Sequence, residues 1–431
     1  MLDTDTELYA HIQETPLVDS HEHLASEAEY LEGGKDVLRA VFPHYTISDL
    51  WAAGASKEAL DRLQDVKDPD VAARFEGVRE AWERIQYTGY GDASCLVAGE
   101  IYGIDEMTGE AFALAQANLA RPEPGDRLAL LKDQANLDHV QIDAFSWTCE
   151  PDPAGPDFFL HDLSVYPFAA GEPNLSELYT QFNVQVSGAD SLREAIAAVF
   201  DRNGPRAIAV KTQHAYARTL SWQDRTDAEA DLIVRKLAAG LTLDESEKLC
   251  LGDWCLARSM ECAERHGLPV KIHTGYMAGN DVMDLDRTRP SKLCSLISKF
   301  PGVRFVLMHT GYPYGGELAS MAKHFRNVYA DLCWAWAVDP LSTVDFVRRM
   351  IHTCPTHKLF AFGGDTFYPE ATVAFAVQAR EGLTKALQAE IDAGVMAEPA
   401  AIKLALRFMQ RNQYECFDVV GRRRALGAAA G

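Results

Sequence analysis

The chain has 431 residues, with 63 acidic against 41 basic side chains and a formal net charge of −22. A field that negative works against nucleic acid and anionic membrane surfaces, and every apolar run breaks well short of the ~18 residues a membrane span requires. With 47% hydrophobic residues the chain can bury one large barrel or two domains. The expected partner is a small molecule, with homo-oligomerisation left open.

The first fifteen residues, "MLDTDTELYAHIQET", are polar and acidic and lack the basic and apolar regions of a signal peptide. Nine cysteines without framework spacing suit reduced thiols, so a cytoplasmic location is expected. Cys250, Cys255 and Cys262 fall on one helix-like segment and read as small buried apolar residues rather than ligands.

Residues 15–24 read as a first strand ending in "VDSHEHL", which places His21 and His23 on one face, because side chains two apart on a strand point the same way. Residues 25–135 have helical periodicity and form a helical insertion after strand 1, expected to cap the barrel mouth. Within it, the glycines of "YTGYGDASCLVAGEIYGID" suggest either a turn near a site or a packing constraint. "DHVQIDAF" (138–145) is a short strand candidate, "CEPDPAGPDFF" a Pro-rich loop, and residues 174–204 are helical again.

From there strands alternate with helices: "PRAIAVKT" (205–212), "LPVKIHTGY" (268–276), "VRFVLMHTGYP" (303–313), "VYADLCW" (328–334) and "KLFAFGGDTFYPE" (358–370). That rhythm implies a parallel sheet. With polar residues closing each strand, it predicts an α/β fold: a single (β/α)8 TIM barrel spanning 1–431. A doubly wound sheet is the runner-up, but neither GxGxxG nor GxxxxGK[ST] is present to support its nucleotide-binding form.

In such barrels chemistry sits at the C-terminal strand ends. Here those ends carry His21, His23, Lys211, His273, His309 and Asp365. Each has an ordinary alternative: a hydrogen-bonded core histidine, an ion-paired lysine, or a helix N-cap for Asp365. Recurrence of the placement on several strands favours a shared metal site, and imidazole with carboxylate suits zinc, manganese, iron or nickel.

The order His-x-His on strand 1, Lys on strand 4, His on strands 5 and 6 and Asp on strand 8 resembles the amidohydrolase superfamily. More narrowly it resembles the amidohydrolase-related branch of metal-dependent hydrolases and decarboxylases, with uronate isomerases as more distant members. "VKIHTGY", "LMHTGYPY" and "FGGDTFYPE" are also similar to the amidohydrolase-like half of FluG-type proteins. The resemblance implies a divalent ion, Zn2+ first and Mn2+, Fe2+ or Ni2+ as alternatives, held by His21, His23, His273 and Asp365. It further implies that Asp365 moves a proton and that His309 orients or polarises the substrate. Lys211 would be a carbamate bridging two ions, or, as favoured here with one ion, an ammonium facing a substrate anion. Arg218 could add a second cation, although a rim ion pair is its ordinary reading. Tyr276 and Tyr312 would line the pocket.

The expected activity is metal-dependent hydrolysis of a C–N or C–O bond in a small, anionic molecule, since a bound divalent ion lowers the pKa of water from ~15.7 to ~7. The alternative is a lyase or isomerase on the same scaffold, decarboxylating or interconverting a sugar acid. A non-catalytic adaptor barrel is the third reading, and the complete ligand set argues against it.

Overall fold

A computed structural model describes residues 3–280 and 283–429. Nine parallel strands carry the architecture: β1 (Leu17–Glu22), β2 (Leu137–Ile142), β3 (Phe159–His161), β4 (Leu163–Ser164), β5 (Val210–Thr212), β6 (Val270–Ile272), β7 (Phe305–Leu307), β8 (Val328–Asp331) and β9 (Leu359–Phe360). Hydrogen bonding runs in the orders β1-β2-β3 and β4-β5-β6-β7-β8-β9.

Two seams join these sheets. Only Asp162 separates β3 from β4, and its amide bonds Ile142 while that of Leu163 bonds Ala209, so the two segments form one kinked stave. The last stave returns to the first through Ser20 N to the Phe362 carbonyl at 3.0 Å and Asp365 N to the His21 carbonyl at 2.9 Å. The result is a (β/α)8 barrel of short, almost wholly buried strands. Their near-continuous apolar runs, such as "AIAV" before Lys211, are what two-sided burial demands.

The barrel interior is charged in its middle layer. Lys271 donates to Asp162 at 2.8 Å and to the Ser20 carbonyl at 2.6 Å, all fully buried. Below it, Leu160, Ile208, Val306 and Phe360 meet Phe417 and Val419 from the C-terminal segment, which plugs the end of the barrel opposite the site. Tyr414 and Arg423 anchor that segment to Asp138 at the start of β2.

Between β1 and β2 the chain forms a succession of helices from Glu27 to Ala129. Its two ends are clasped by buried Arg127, which bonds Glu27 (3.0 Å), Asp152 (2.5 Å) and the Ala25 carbonyl (2.6 Å). The glycine-rich stretch is here a helix, Gly89–Tyr102, capped by Thr88. The glycines serve packing: a Cβ on Gly89 would lie 2.1 Å from the Ala337 carbonyl oxygen. Cys250, Cys255 and Cys262 are buried along the helix Glu245–Arg265. Among the described residues, no helix is long and apolar enough to cross a membrane.

Candidate metal centre

The stave ends converge on Asp365. Its Oδ1 lies 3.2 Å from Nε2 of both His21 and His23, and its Oδ2 lies 3.7 Å from Nε2 of His309. Outer hydrogen bonds fix how two of these rings face. Nδ1 of His23 donates to the Asp143 carbonyl at 2.8 Å, and Nδ1 of His309 donates to the Cys333 carbonyl at 3.0 Å. A carbonyl can only accept, so each ring turns its Nε2 toward the carboxylate. His273 is reversed: Nε2 donates to the Tyr276 carbonyl at 2.9 Å, which leaves Nδ1 free, and its ring centre is 4.4 Å from that of His309.

Lys211 donates from Nζ to Nε2 of His21 at 3.1 Å and sits 3.7 Å from Oδ2 of Asp143. Burial and then the Lys211 ammonium hold the His21 imidazole well below its usual range. Burial does the same for His273, and it lowers His309 to about 4 against the pull of Asp365. For Asp365 burial pushes upward, but pairing with His21 and His23 outweighs it and keeps the carboxyl well below the ordinary range.

These observations test the site for an ion. His23 and His309 carry the proton of the neutral ring on Nδ1, so each turns an Nε2 lone pair toward the carboxylate, and a cation between them relieves that repulsion. Buried Nε2 of His309 and Oδ2 of Asp143 have no hydrogen-bond partner. Ligand atoms of His21, His23 and Asp143 lie within 4.8 Å of one another, as do those of His309, Cys333 and Asp365. Nitrogen and carboxylate donors in this arrangement fit a divalent ion.

Backbone geometry marks the same place. Phe145, His309, Thr310, Trp334 and Asp365 all have left-handed φ, between 53° and 63°, which costs a non-glycine residue energy and gathers at functional positions. Asp365 is further held by Tyr45, whose hydroxyl donates to its carbonyl at 2.5 Å.

A cavity of about 360 Å³ opens over the cluster, reaching His23, Lys211, His273 and Asp365. Its wall is aromatic: Tyr45, Phe145, Tyr166, Tyr216 and Phe367, with His44, Gln213 and Ala278. His44 and Tyr45 come from the insertion, which therefore forms part of the cavity. Sequence reasoning assigned His44 to ordinary packing and did not single out Tyr45, Asp143, Phe145, Tyr166, Gln213 or Tyr216. Nothing in their local pattern separates them from core residues.

Three expected substrate contacts fall elsewhere. Arg218 lies in a buried ion pair with Asp253 at 2.5 Å and donates to the carbonyls of Thr219, Ser221 and Leu249, so its charge is already satisfied away from the cavity. Tyr276 and Tyr312 are one layer out. Tyr276 packs on Trp334 at 5.8 Å, and Trp334 in turn packs on His309, while Tyr312 packs on Tyr276; neither tyrosine lines the cavity.

The family model described as Amidohydrolase matches residues 178–396. The chain belongs to the amidohydrolase superfamily. It is 25% identical over 229 residues to Protein fluG of Emericella nidulans; the match covers 50% of this chain and 26% of that protein, so the chain spans about a quarter of the relative's length. Among solved structures it resembles glucuronate isomerase from Caulobacter crescentus (TM-score 0.75, 16% identity, 95% of this chain and 93% of that one). It also resembles uronate isomerase from Thermotoga maritima (TM-score 0.76, 13% identity, 97% and 98%). At these identities the likeness speaks to the fold.

Proposed function

We propose that the chain is a metal-dependent hydrolase acting on a C–N or C–O bond of a small, anionic molecule. The observation that carries this reading is the convergence of Asp365 Oδ1 on Nε2 of His21 and His23, each at 3.2 Å, where Asp365 and His23 line the cavity. His21, His23, His273 and Asp365 would hold the ion. When bound, a divalent ion supplies Lewis-acid polarisation and a more acidic water.

The chain's own groups do the rest. Asp365 accepts the proton of the attacking water and returns it to the leaving group, a task for a positioned base. His309 presents its unpartnered Nε2 edge to the reacting carbonyl, and its Nδ1 bond to Cys333 keeps that edge aimed. Lys211, the cation on the cavity wall, pairs with the anionic group of the substrate. The aromatic wall excludes bulk water and selects a compact, partly apolar substrate.

The test is a panel of lactones, amides, carboxylates and sugar acids incubated in 18O-labelled water, with elemental analysis of the purified protein. Hydrolysis predicts one 18O per turnover, in the carboxylate product, and a bound divalent ion. Release of CO2, or ketose formation without label, would replace it with the lyase or isomerase reading.

A further inference from the structure

A second cavity, of about 220 Å³, lies between the insertion and the loop after β9. Phe367 lines both this cavity and the one over the metal centre, but none of His21, His23, Lys211, His273, His309 and Asp365 lines the second. Its wall carries Glu29, Lys35, Asp36, Arg39 and Glu370. Three of these charges are already matched. Lys35 pairs with Asp126 at 3.0 Å, Asp36 with Arg74 at 2.7 Å, and Glu29 accepts from the amide and hydroxyl of Ser26. Arg39 and Glu370 differ: among the described residues neither forms an ion pair, with each other or with any other side chain. The Arg39 guanidinium has one long hydrogen bond, to the Tyr368 hydroxyl at 3.5 Å. Glu370 is buried at the start of the helix Pro369–Asp392, and burial pushes its carboxyl up. A buried carboxyl without a partner costs free energy that a matching cation returns. Its charge bears on the phenols of Tyr30 and Tyr102, which share the wall. The Tyr30 hydroxyl is itself buried without a hydrogen-bond partner.

We propose that this cavity binds a small zwitterion, an α-amino acid, with its carboxylate on Arg39 and the Tyr368 hydroxyl and its ammonium on Glu370 beside the hydroxyls of Tyr30 and Tyr102. Guanidinium and carboxylate pair through charge-assisted hydrogen bonds. The three donors of an ammonium are matched by one carboxylate and two phenol oxygens, and tyrosine rings add attraction for a cation. A simple anion would meet Glu370 and a simple cation would meet Arg39, so each half of the ligand alone is opposed. The volume suits a short aliphatic side chain, for which Ala40, Phe367 and Pro369 supply apolar surface. No group of the metal centre lines this cavity, so the zwitterion binds there without reacting.

The test is calorimetric titration of the full-length protein with L-alanine, L-valine and L-leucine, each repeated after chelation of divalent ions. Saturable binding is expected for at least one of the three, unchanged by chelation. The amine and the carboxylic acid that share the side chain of the tightest binder, isobutylamine and isovalerate in the case of L-valine, should each bind about tenfold or more weakly. Arg39→Gln and Glu370→Gln should each weaken the amino acid by a similar factor. The analogues on wild type decide the question even if the buried Glu370 variant misfolds. No saturation by any of the three up to ~10 mM, an amine or acid that binds as tightly as the amino acid, or unchanged affinity in folded Arg39→Gln would overturn the site. Binding lost on chelation would overturn it too, and would place the amino acid on the ion.

Discussion

Lys211 places its Nζ 3.1 Å from Nε2 of His21, the same nitrogen that approaches Asp365 Oδ1 at 3.2 Å. One imidazole edge is thus shared between a cation from the fourth stave and an anion from the eighth. Lys211 also lines the cavity.

Lys211→Met should therefore raise KM by roughly 10- to 100-fold, the value of a charge-assisted hydrogen bond of about 1.5–3 kcal/mol. Lys211→Arg should recover part of the loss. Steady-state kinetics with an anionic substrate and its neutral analogue check this. Equal losses on both would show that Lys211 does not read the charge.

Asp365→Asn keeps the shape of the side chain and removes its basicity. We expect kcat to fall by roughly 10²–10⁴ even with excess divalent ion, the usual worth of a general base. A kcat within tenfold of wild type, measured on metal-replete protein, would reassign the proton transfer.

Arg218 separates a structural cation from a functional one. Arg218→Ala leaves Asp253 charged and buried beside the weaker Arg225 contact at 3.3 Å. Breaking such a pair costs about 3–5 kcal/mol, so thermal or denaturant unfolding should show a large loss. The folded fraction should keep its KM, and a selective rise in KM would return Arg218 to the substrate.

Asp138 offers a pH test remote from the centre. Burial pushes its carboxyl up, but His139, Tyr414 and Arg423 outweigh that and lower it to about 2. In the unfolded chain the group titrates near 4, so between pH 4 and 2 the unfolded state binds more protons and stability falls as pH falls. Asp138→Asn should cost about 1–2 kcal/mol at neutral pH. In urea titrations, the gap to wild type should hold above pH 4 and close toward pH 2. A gap that is flat with pH would mean that the carboxylate's charge contributes nothing to anchoring the C-terminal segment.

The parts legible in the sequence were those where an apolar strand stops at a polar residue. Lys211 and His309 stand out because the apolar runs before them are unbroken, and His21, His273 and Asp365 because the same placement recurs at the ends of other strands. The third stave was not legible: "FLHDLS" follows a proline-rich loop and alternates too briefly to register, so it was missed between that loop and the helix after it. Arg218 was drawn to the site by nearness in sequence to Lys211, but the chain turns through His214–Tyr216 and carries it outward to Asp253. His44 and Phe145 reach the cavity through tertiary packing of a helix and a loop, which no local periodicity records. The glycines at 89 and 91 signalled close approach, and the partners they approach are Ala337 and Ile85.

The seam between Ser20 and Phe362 has a consequence for how the protein is made. During translation the histidines of the first stave leave the ribosome more than three hundred residues before Asp365. Until the eighth stave docks, they lack the Asp365 carboxylate. A nascent chain therefore completes this cluster only when the ring of strands shuts. Pairing so distant in sequence is slow to form, which puts closure of that seam late in folding.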